Sequence, residues 1–305
     1  MSEFFTDTII ISILAATVRI ATPLIFAALG ELITEKAGIL NLGVEGTMLM
    51  AAFTAFAATF ATGSLWLGLI AAMIAGGMMS FILVFMAATL KVEQVVTGLA
   101  LNMLAAGMSI FLYKAFFEGQ ALPTIEIFDN VEIPLLSDIP YLGQILFSQK
   151  LLTYVAFLLV PAVWFFLYRT KLGLEIRCLG ENPKVIDTRG LSVTARQYAA
   201  VIAGGMMIGI GGAFVTIAST VRFIPDITSG RGWLALVIVI AGNWRPTGIL
   251  IAALVFAFLD ALQLQIQGLG VTLPYQIFLA LPYVVAIVLM IGKRQRSEEP
   301  KRLGV

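Results

Sequence analysis

Residues 65–90 read LWLGLIAAMIAGGMMSFILVFMAATL, a run without a single charge. A helix needs roughly 20 apolar residues to cross the hydrocarbon of a bilayer, and this run is longer than that. Lipid leaves every backbone polar group to be satisfied within the protein, so a spanning segment is either a helix or a strand of a closed barrel. Barrel strands alternate in hydropathy with period two. The 65–90 run is apolar throughout, which selects the helix.

The rest of the chain repeats the pattern. Of its 305 residues, 60% are apolar and 12% charged, and mean hydropathy is +0.98. A soluble domain is about half apolar and about a quarter charged, and surface-to-volume limits leave no core large enough for the excess. Apolar runs recur from Ile9 to Gly292, placing helical segments at about 9–33, 46–62, 65–90, 92–116, 150–168, 197–220, 233–242, 247–266 and 275–292. The fold class is therefore all-α: a polytopic membrane helix bundle of about eight to ten crossings, forming one domain over residues 1–305. Three places resist a simple spanning reading: the stretch from Gly30 to Gly46, the junction at Lys91-Val92-Glu93-Gln94, and the short piece 233–242 between Pro225 and Pro246. Interrupted hydrophobic segments are where transporters build their sites, because unwound backbone is tolerated only around protein or a cavity.

Charge sets the expected orientation. Residues 117–148 hold Glu118, Glu126, Asp129, Glu132 and Asp138 with no Lys or Arg; residues 169–196 hold Arg169, Lys171, Arg177, Lys184, Arg189 and Arg196; the tail adds Lys293, Arg294, Arg296, Lys301 and Arg302. Basic loops stay in the cytoplasm, which puts 117–148 outside and 169–196 with the C-terminus inside. The single Cys178 builds no disulfide framework. Met1 to Thr8 lacks the basic region and cleavage site of a signal peptide, so the first apolar run reads as a retained span. Small residues recur at helix-packing spacing, Ala72, Gly76 and Ser80 and then Gly205, Gly209 and Ala213, and are expected to pack helices within the chain or between subunits.

The chemical inventory points away from catalysis. The chain has no histidine, the commonest general base and metal ligand, and no G-x-x-x-x-G-K-[ST] loop to hold ATP. Neither H-E-x-x-H nor G-x-S-x-G occurs. No cofactor, metal or nucleic acid is expected on this chain, and transport rises over a membrane-embedded enzyme.

One cytoplasmic stretch is sharply bounded: Gly180-Glu181-Asn182-Pro183-Lys184-Val185-Ile186-Asp187-Thr188-Arg189-Gly190. Asn182 suits an N-cap and Pro183 the first helical position; Arg189 falls in the last turn, and Gly190 suits the left-handed residue that ends a helix. So short a helix is not stable alone in water and should dock on the membrane surface or on a partner.

Gly180-Glu181-Asn182-Pro183, with Gly190-Leu191-Ser192-Val193 and Arg196, resembles the cytoplasmic coupling segment of ATP-binding-cassette (ABC) importer permeases, in the branch that includes those for ribose and branched-chain amino acids. Two further stretches resemble the nucleoside importers of that branch: Leu29-Gly30-Glu31 through Glu35-Lys36-Ala37-Gly38-Ile39-Leu40-Asn41-Leu42-Gly43-Val44-Glu45-Gly46, and Gly230-Arg231-Gly232-Trp233 through Gly242-Asn243-Trp244-Arg245-Pro246-Thr247-Gly248. The likeness runs from about residue 20 to 290, and its proportions resemble the shorter of two paired permeases. Where the family often has Ala-Ala after Asn-Pro, this chain has Val185-Ile186. The resemblance implies a multi-pass subunit of a bacterial-type cell membrane and three partners: a cytoplasmic ATPase, a different and longer permease, and an external substrate-binding lipoprotein. It also implies that Gly180, Glu181, Asn182, Pro183, Arg189 and Gly190 meet the ATPase, whose closure would rock the bundle between inward- and outward-open states.

Candidates for the solute path are polar groups on apolar helices. Gln94, Gly98 and Asn102 share one helical face, as do Asp260, Gln263 and Gln267. Such groups face the bundle interior or a wet cavity, where they either bond a neighbouring helix or touch the solute. Asn41 and Glu45 of the interrupted segment join them, Glu31 and Glu35 could instead satisfy freed backbone donors, and Arg19 is expected to pair with a nearby Glu. Amides and a lone carboxylate suit a neutral solute such as a nucleoside or a sugar. The alternative is a self-contained secondary transporter or channel, with Glu45 and Asp260 carrying protons.

Overall fold

A computed structural model describes residues 7–117, 123–134, 136–137, 139–268, 284–285, 287 and 298–304. All of the expected span at 275–292 except residues 284, 285 and 287, the acidic residues Glu118 and Asp138, and the basic residues Lys293, Arg294 and Arg296 lie outside the described residues. Among the described residues seven helices are long and apolar enough to cross a membrane: α1 (Asp7–Lys36), α2 (Val44–Thr62), α3 (Leu65–Val84), α4 (Gln94–Phe117), α5 (Leu151–Arg169), α8 (Val193–Ala213) and α10 (Pro246–Gly268). Three shorter ones stand between them: α6 (Lys171–Glu181), α7 (Lys184–Thr188) and α9 (Arg231–Ala241).

Helix α8 is the centre. Its glycines let three neighbours approach to backbone contact: α3, α1 and α2, the last where Gly212 lies against the Met48 carbonyl. A Cβ on Gly76 of α3 would strike the Gly205 carbonyl, one on Gly209 would strike that of Ala72, and Gly30 of α1 meets Gly204 in the same way. The two small-residue stripes expected from the sequence thus face each other inside one chain. Around them lies one large apolar core, with Phe26, Phe56, Phe214 and Phe256 buried.

Where two apolar runs meet without turn residues, α3 widens into a π-helical turn over Phe85–Thr89. Lys91 then takes a left-handed φ of 55° before α4 begins. A second π-helical turn, Phe214–Ala218, ends α8. The carbonyl of Ile217 accepts from Phe128 N (3.0 Å), and that of Val221, just beyond it, accepts from Ile125 N (2.9 Å).

Strands β1 (Asn130–Glu132) and β2 (Ser148–Lys150) pair antiparallel in a small hairpin. Helix α5 separates the hairpin from α6 by about 28 Å at 1.5 Å per residue. The molecule therefore has a hairpin end and an α6–α7 end.

Candidate functional site

At the α6–α7 end α1 stops in a Schellman turn. Gly38, with φ 84°, gives its N–H to Glu35 O (2.9 Å), and Ile39 N reaches Thr34 O (3.3 Å). The chain then runs without regular structure to Val44, and side chains satisfy the freed backbone. Leu40 N donates to Gln94 Oε1 (2.7 Å), Asn41 N to Glu31 Oε1 (3.2 Å), Gly43 N to Asn41 Oδ1 (2.9 Å) and Gly46 N to Asn102 Oδ1 (2.7 Å). Asn102 Nδ2 also donates to Leu42 O (2.7 Å). The face formed by Gln94, Gly98 and Asn102 is real, and its occupant is the broken segment itself: Gly98 lies against Leu42 and Gly43.

Glu45, in the first turn of α2, holds the start of the half-helix α9. Its Oε1 accepts from Thr228 Oγ1 (2.5 Å) and Gly230 N (2.9 Å), and Oε2 accepts from Gly232 N (2.6 Å). A carboxylate against orphan N–H groups at a helix N-terminus is well placed electrostatically. Gly232 must be glycine here, because its Cβ would enter the Glu45 backbone. At the far end of α9, buried Glu35 accepts from Trp244 Nε1. The two broken segments are therefore locked to each other by Glu45 and Glu35.

The 169–196 stretch, expected from the resemblance to meet an ATPase, contains two helices where the sequence suggested one. Helix α6 is capped by Thr170, which accepts from Gly173 N (3.1 Å), and buries Gly173, Ile176, Leu179 and Gly180. Arg177 lies over the Tyr168 ring at 4.8 Å, and Glu175 pairs with Arg196 at 2.9 Å. Asn182 closes α6, while its Oδ1 accepts from Lys184 N (3.2 Å) at the start of α7. Pro183 precedes the first turn of α7 and Arg189 follows the last. Gly190 has the expected left-handed φ, 74°, in a second Schellman turn: Gly190 N to Asp187 O (2.9 Å) and Leu191 N to Ile186 O (3.2 Å). Ile186 is buried and Val185 exposed; of the two residues replacing Ala-Ala, one anchors α7 and the other faces outward.

The tail 298–304 lies across the same end. Lys36 Nζ donates to Glu298 O (3.2 Å), Glu298 N to Asn243 Oδ1 (2.9 Å) and Arg302 N to Gly180 O (2.9 Å), and Arg245 forms an ion pair with Glu298. Lys301 reaches Glu181 at 3.9 Å. Nothing in the local sequence announces this strap, whose contacts join residues far apart in the chain.

At the hairpin end a cavity of about 750 Å³ opens among Arg19, Lys150, Asp226, Ser229 and Arg231, with Phe214 on its wall. Asp260 is half-buried and is not among the residues lining this cavity; Gln263 is buried, and the Gln267 side chain lies outside the described residues. Arg19 has no carboxylate partner among the described residues and faces this cavity instead of pairing with a Glu. Among the aromatics, Phe56, Phe60, Tyr113, Phe117 and Phe223 form one contiguous cluster, with Phe56 and Phe60 stacked and the other rings tilted or edge-on.

Spanning helices interrupted at two interlocked half-segments, with an amphipathic helix pair presented at one end, define a membrane permease. The chain belongs to the family described as branched-chain amino acid transport system / permease component, whose model matches residues 13–292. It is 42% identical over 265 residues to the ABC transporter permease protein TsgC13 of Haloferax volcanii, covering 86% of this chain and 79% of that one. It is 36% identical over 303 residues to the guanosine ABC transporter permease protein NupQ of Bacillus subtilis, covering 96% and 95%. To the nucleoside ABC transporter permease protein NupC of Lactococcus lactis it is 30% identical over 295 residues, 93% of each. No solved structure matches. The protein is a multi-pass permease subunit of an ABC importer, a transport component rather than an enzyme.

Proposed function

We propose that this permease moves nucleosides inward, driven by a separate cytoplasmic ATPase that grips α6 and α7. The observation that carries the coupling half is the α7 geometry: a five-residue helix stopped by a Schellman turn, anchored by buried Ile186 and otherwise turned outward. A helix of that length persists only when docked. The end bearing α6, α7 and the tail is cytoplasmic in this reading, as the basic residues of 169–196 require. The bundle would rock about the joints at Glu45 and Glu35, with a second, longer permease and an external binding lipoprotein completing the importer. Among the candidate path residues, Gln94, Asn102 and Asn41 serve as the hinge that holds the broken segment together. No cofactor enters on this chain.

The nucleoside assignment is supported by two nucleoside permeases that match over nearly their whole length; TsgC13, named for glucose, makes sugars the second reading. Replacing residues 183–189 with Gly-Ser should abolish ATPase co-purification and nucleoside uptake while the membrane subunit still accumulates. Uptake that survives the replacement and follows a proton gradient would sink the reading. Radiolabelled nucleoside uptake with sugars as competitors decides the solute: competition by glucose and none by nucleosides would reverse the assignment.

A further inference from the structure

Building on the reading of the chain as a nucleoside permease, we propose that the cavity at the hairpin end is the chamber that receives the solute, with Arg19 and Arg231 its principal hydrogen-bond donors and Asp226 an acceptor. Its volume, about 750 Å³, falls in the range of small-molecule sites, roughly 300–1,000 Å³. Its position is stronger support than its size. Six separate parts of the chain meet there: α1 through Arg19, the hairpin through Asn130 and Lys150, the π-helical turn through Phe214, the 219–229 loop, the first residue of α9, Arg231, and α10 through Leu264.

Arg19 is the one charge between Ile9 and Gly30 of α1, is exposed, and bonds to none of the described residues. A guanidinium on a spanning helix is costly unless it reaches a wet cavity or a partner, so its place on the cavity wall marks a polar path. Arg231 uses Nη1 on the carbonyls of Ile227 and Thr228 (both 3.2 Å); a guanidinium carries five N–H donors, so the rest of the fork remains for a solute. Base carbonyls and ribose hydroxyls are acceptors for such donors, Asp226 can take a ribose O–H, and Phe214 and Pro225 add an apolar wall. Asp226 offsets part of the charge of Arg19, Lys150 and Arg231, so the wall offers donors to a solute rich in acceptors; that this solute is a nucleoside and not its phosphate rests on the proposed function. Through Arg231 the chamber is also joined to the α9 start that Glu45 holds, so closing the chamber and moving the broken segment are one motion.

The test uses the complete transporter with Cys178→Ser as background. Ser229→Cys should react with a charged thiol reagent applied from the hairpin side, and guanosine should slow that reaction several-fold, whereas guanosine monophosphate should not. Arg19→Ala removes a side chain that bonds to nothing described, so the subunit should accumulate and retain its ATPase while guanosine uptake falls about tenfold, as for one lost charge-assisted hydrogen bond. Two results overturn the proposal: labelling indifferent to guanosine in a complex that still imports it, or Arg19→Ala with unchanged uptake. Protection by the monophosphate alone overturns the solute class. Failure of the parent reading is separate and visible beforehand, because the unsubstituted complex would then import no nucleoside.

Discussion

Helices α1 and α7 end in the same local structure and are put to opposite uses. Each stops at a glycine with positive φ, Gly38 at 84° and Gly190 at 74°, and each closes with the same pair of backbone bonds. Around Gly38 the molecule is full: Gly180 Cα and Leu179 O lie 3.5 Å, and Arg302 O 3.6 Å, from where a Cβ would stand. Around Gly190 there is open space within 4 Å. The turn chemistry is encoded within six residues; whether it becomes an internal joint or a surface to be gripped depends on what packs against it.

The largest effect should come from breaking the buried side of that comparison at its tightest point. Glu45→Ala strips Thr228, Gly230 and Gly232 of their acceptor and should destabilise the detergent-solubilised protein by about 3–4 kcal/mol, seen as a drop in thermal unfolding temperature. Glu45→Gln should recover part of this by keeping one acceptor oxygen. Next in size is Gly38→Leu, which combines a left-handed backbone penalty of about 1–2 kcal/mol with overpacking against α6 and the tail of about 1–3 kcal/mol. Gly38→Ala should cost only the backbone part, since a single Cβ there meets ordinary contacts.

The two ends of the comparison were unequally legible. Helix positions and the Gly190 turn could be read from the sequence, because each depends on neighbours a few residues away. The 94–98–102 face was legible as a face, but its partner was not: Leu40, Leu42 and Gly46 arrive from about fifty to sixty positions earlier, and any polar ligand would fit the same amide pattern. Helix α6 escaped notice because two of the four residues on its buried stripe, Gly173 and Gly180, are glycines and send no apolar signal. The role of Glu45 is half visible: a carboxylate in a broken segment is readable, while its acceptance from Gly230 and Gly232 requires the return of α9 from 185 or more residues away. Arg19 departs from expectation for the same reason: pairing with a Glu is what its neighbours in sequence suggest, and the cavity it faces is assembled from distant elements.

On the open side, Gly190→Leu should leave thermal unfolding unchanged, because the added side chain points into open space and α7 reaches the core only through Ile186. It should weaken ATPase association about tenfold, a change of about 1.4 kcal/mol, measured by titrating the ATPase onto the reconstituted permease. An unfolding temperature that falls as far as in Gly38→Leu would erase the distinction between joint and gripped surface.

The smallest effect tests how the tail ties the two sides together. The hydrogen bond from Arg245 holds the Glu298 carboxyl below the usual glutamate range. A depressed carboxyl contributes stability that is present above its unfolded pKa, about 4.3, and is lost as pH falls through the lower folded value. Both side chains are substantially exposed, 56% for Arg245 and 40% for Glu298, so solvent screens the pair and the bundle should not unfold with it. What should change is local: Arg302 N–H, bonded to Gly180 O, should lose protection from hydrogen exchange below about pH 4.3, after correction for the intrinsic rate. Glu298→Gln should show the weaker protection at every pH, with no acid-dependent step. Retention of that step in Glu298→Gln would mean that another carboxylate, with Glu181 beside Lys301 the nearest candidate, fastens the strap to α6.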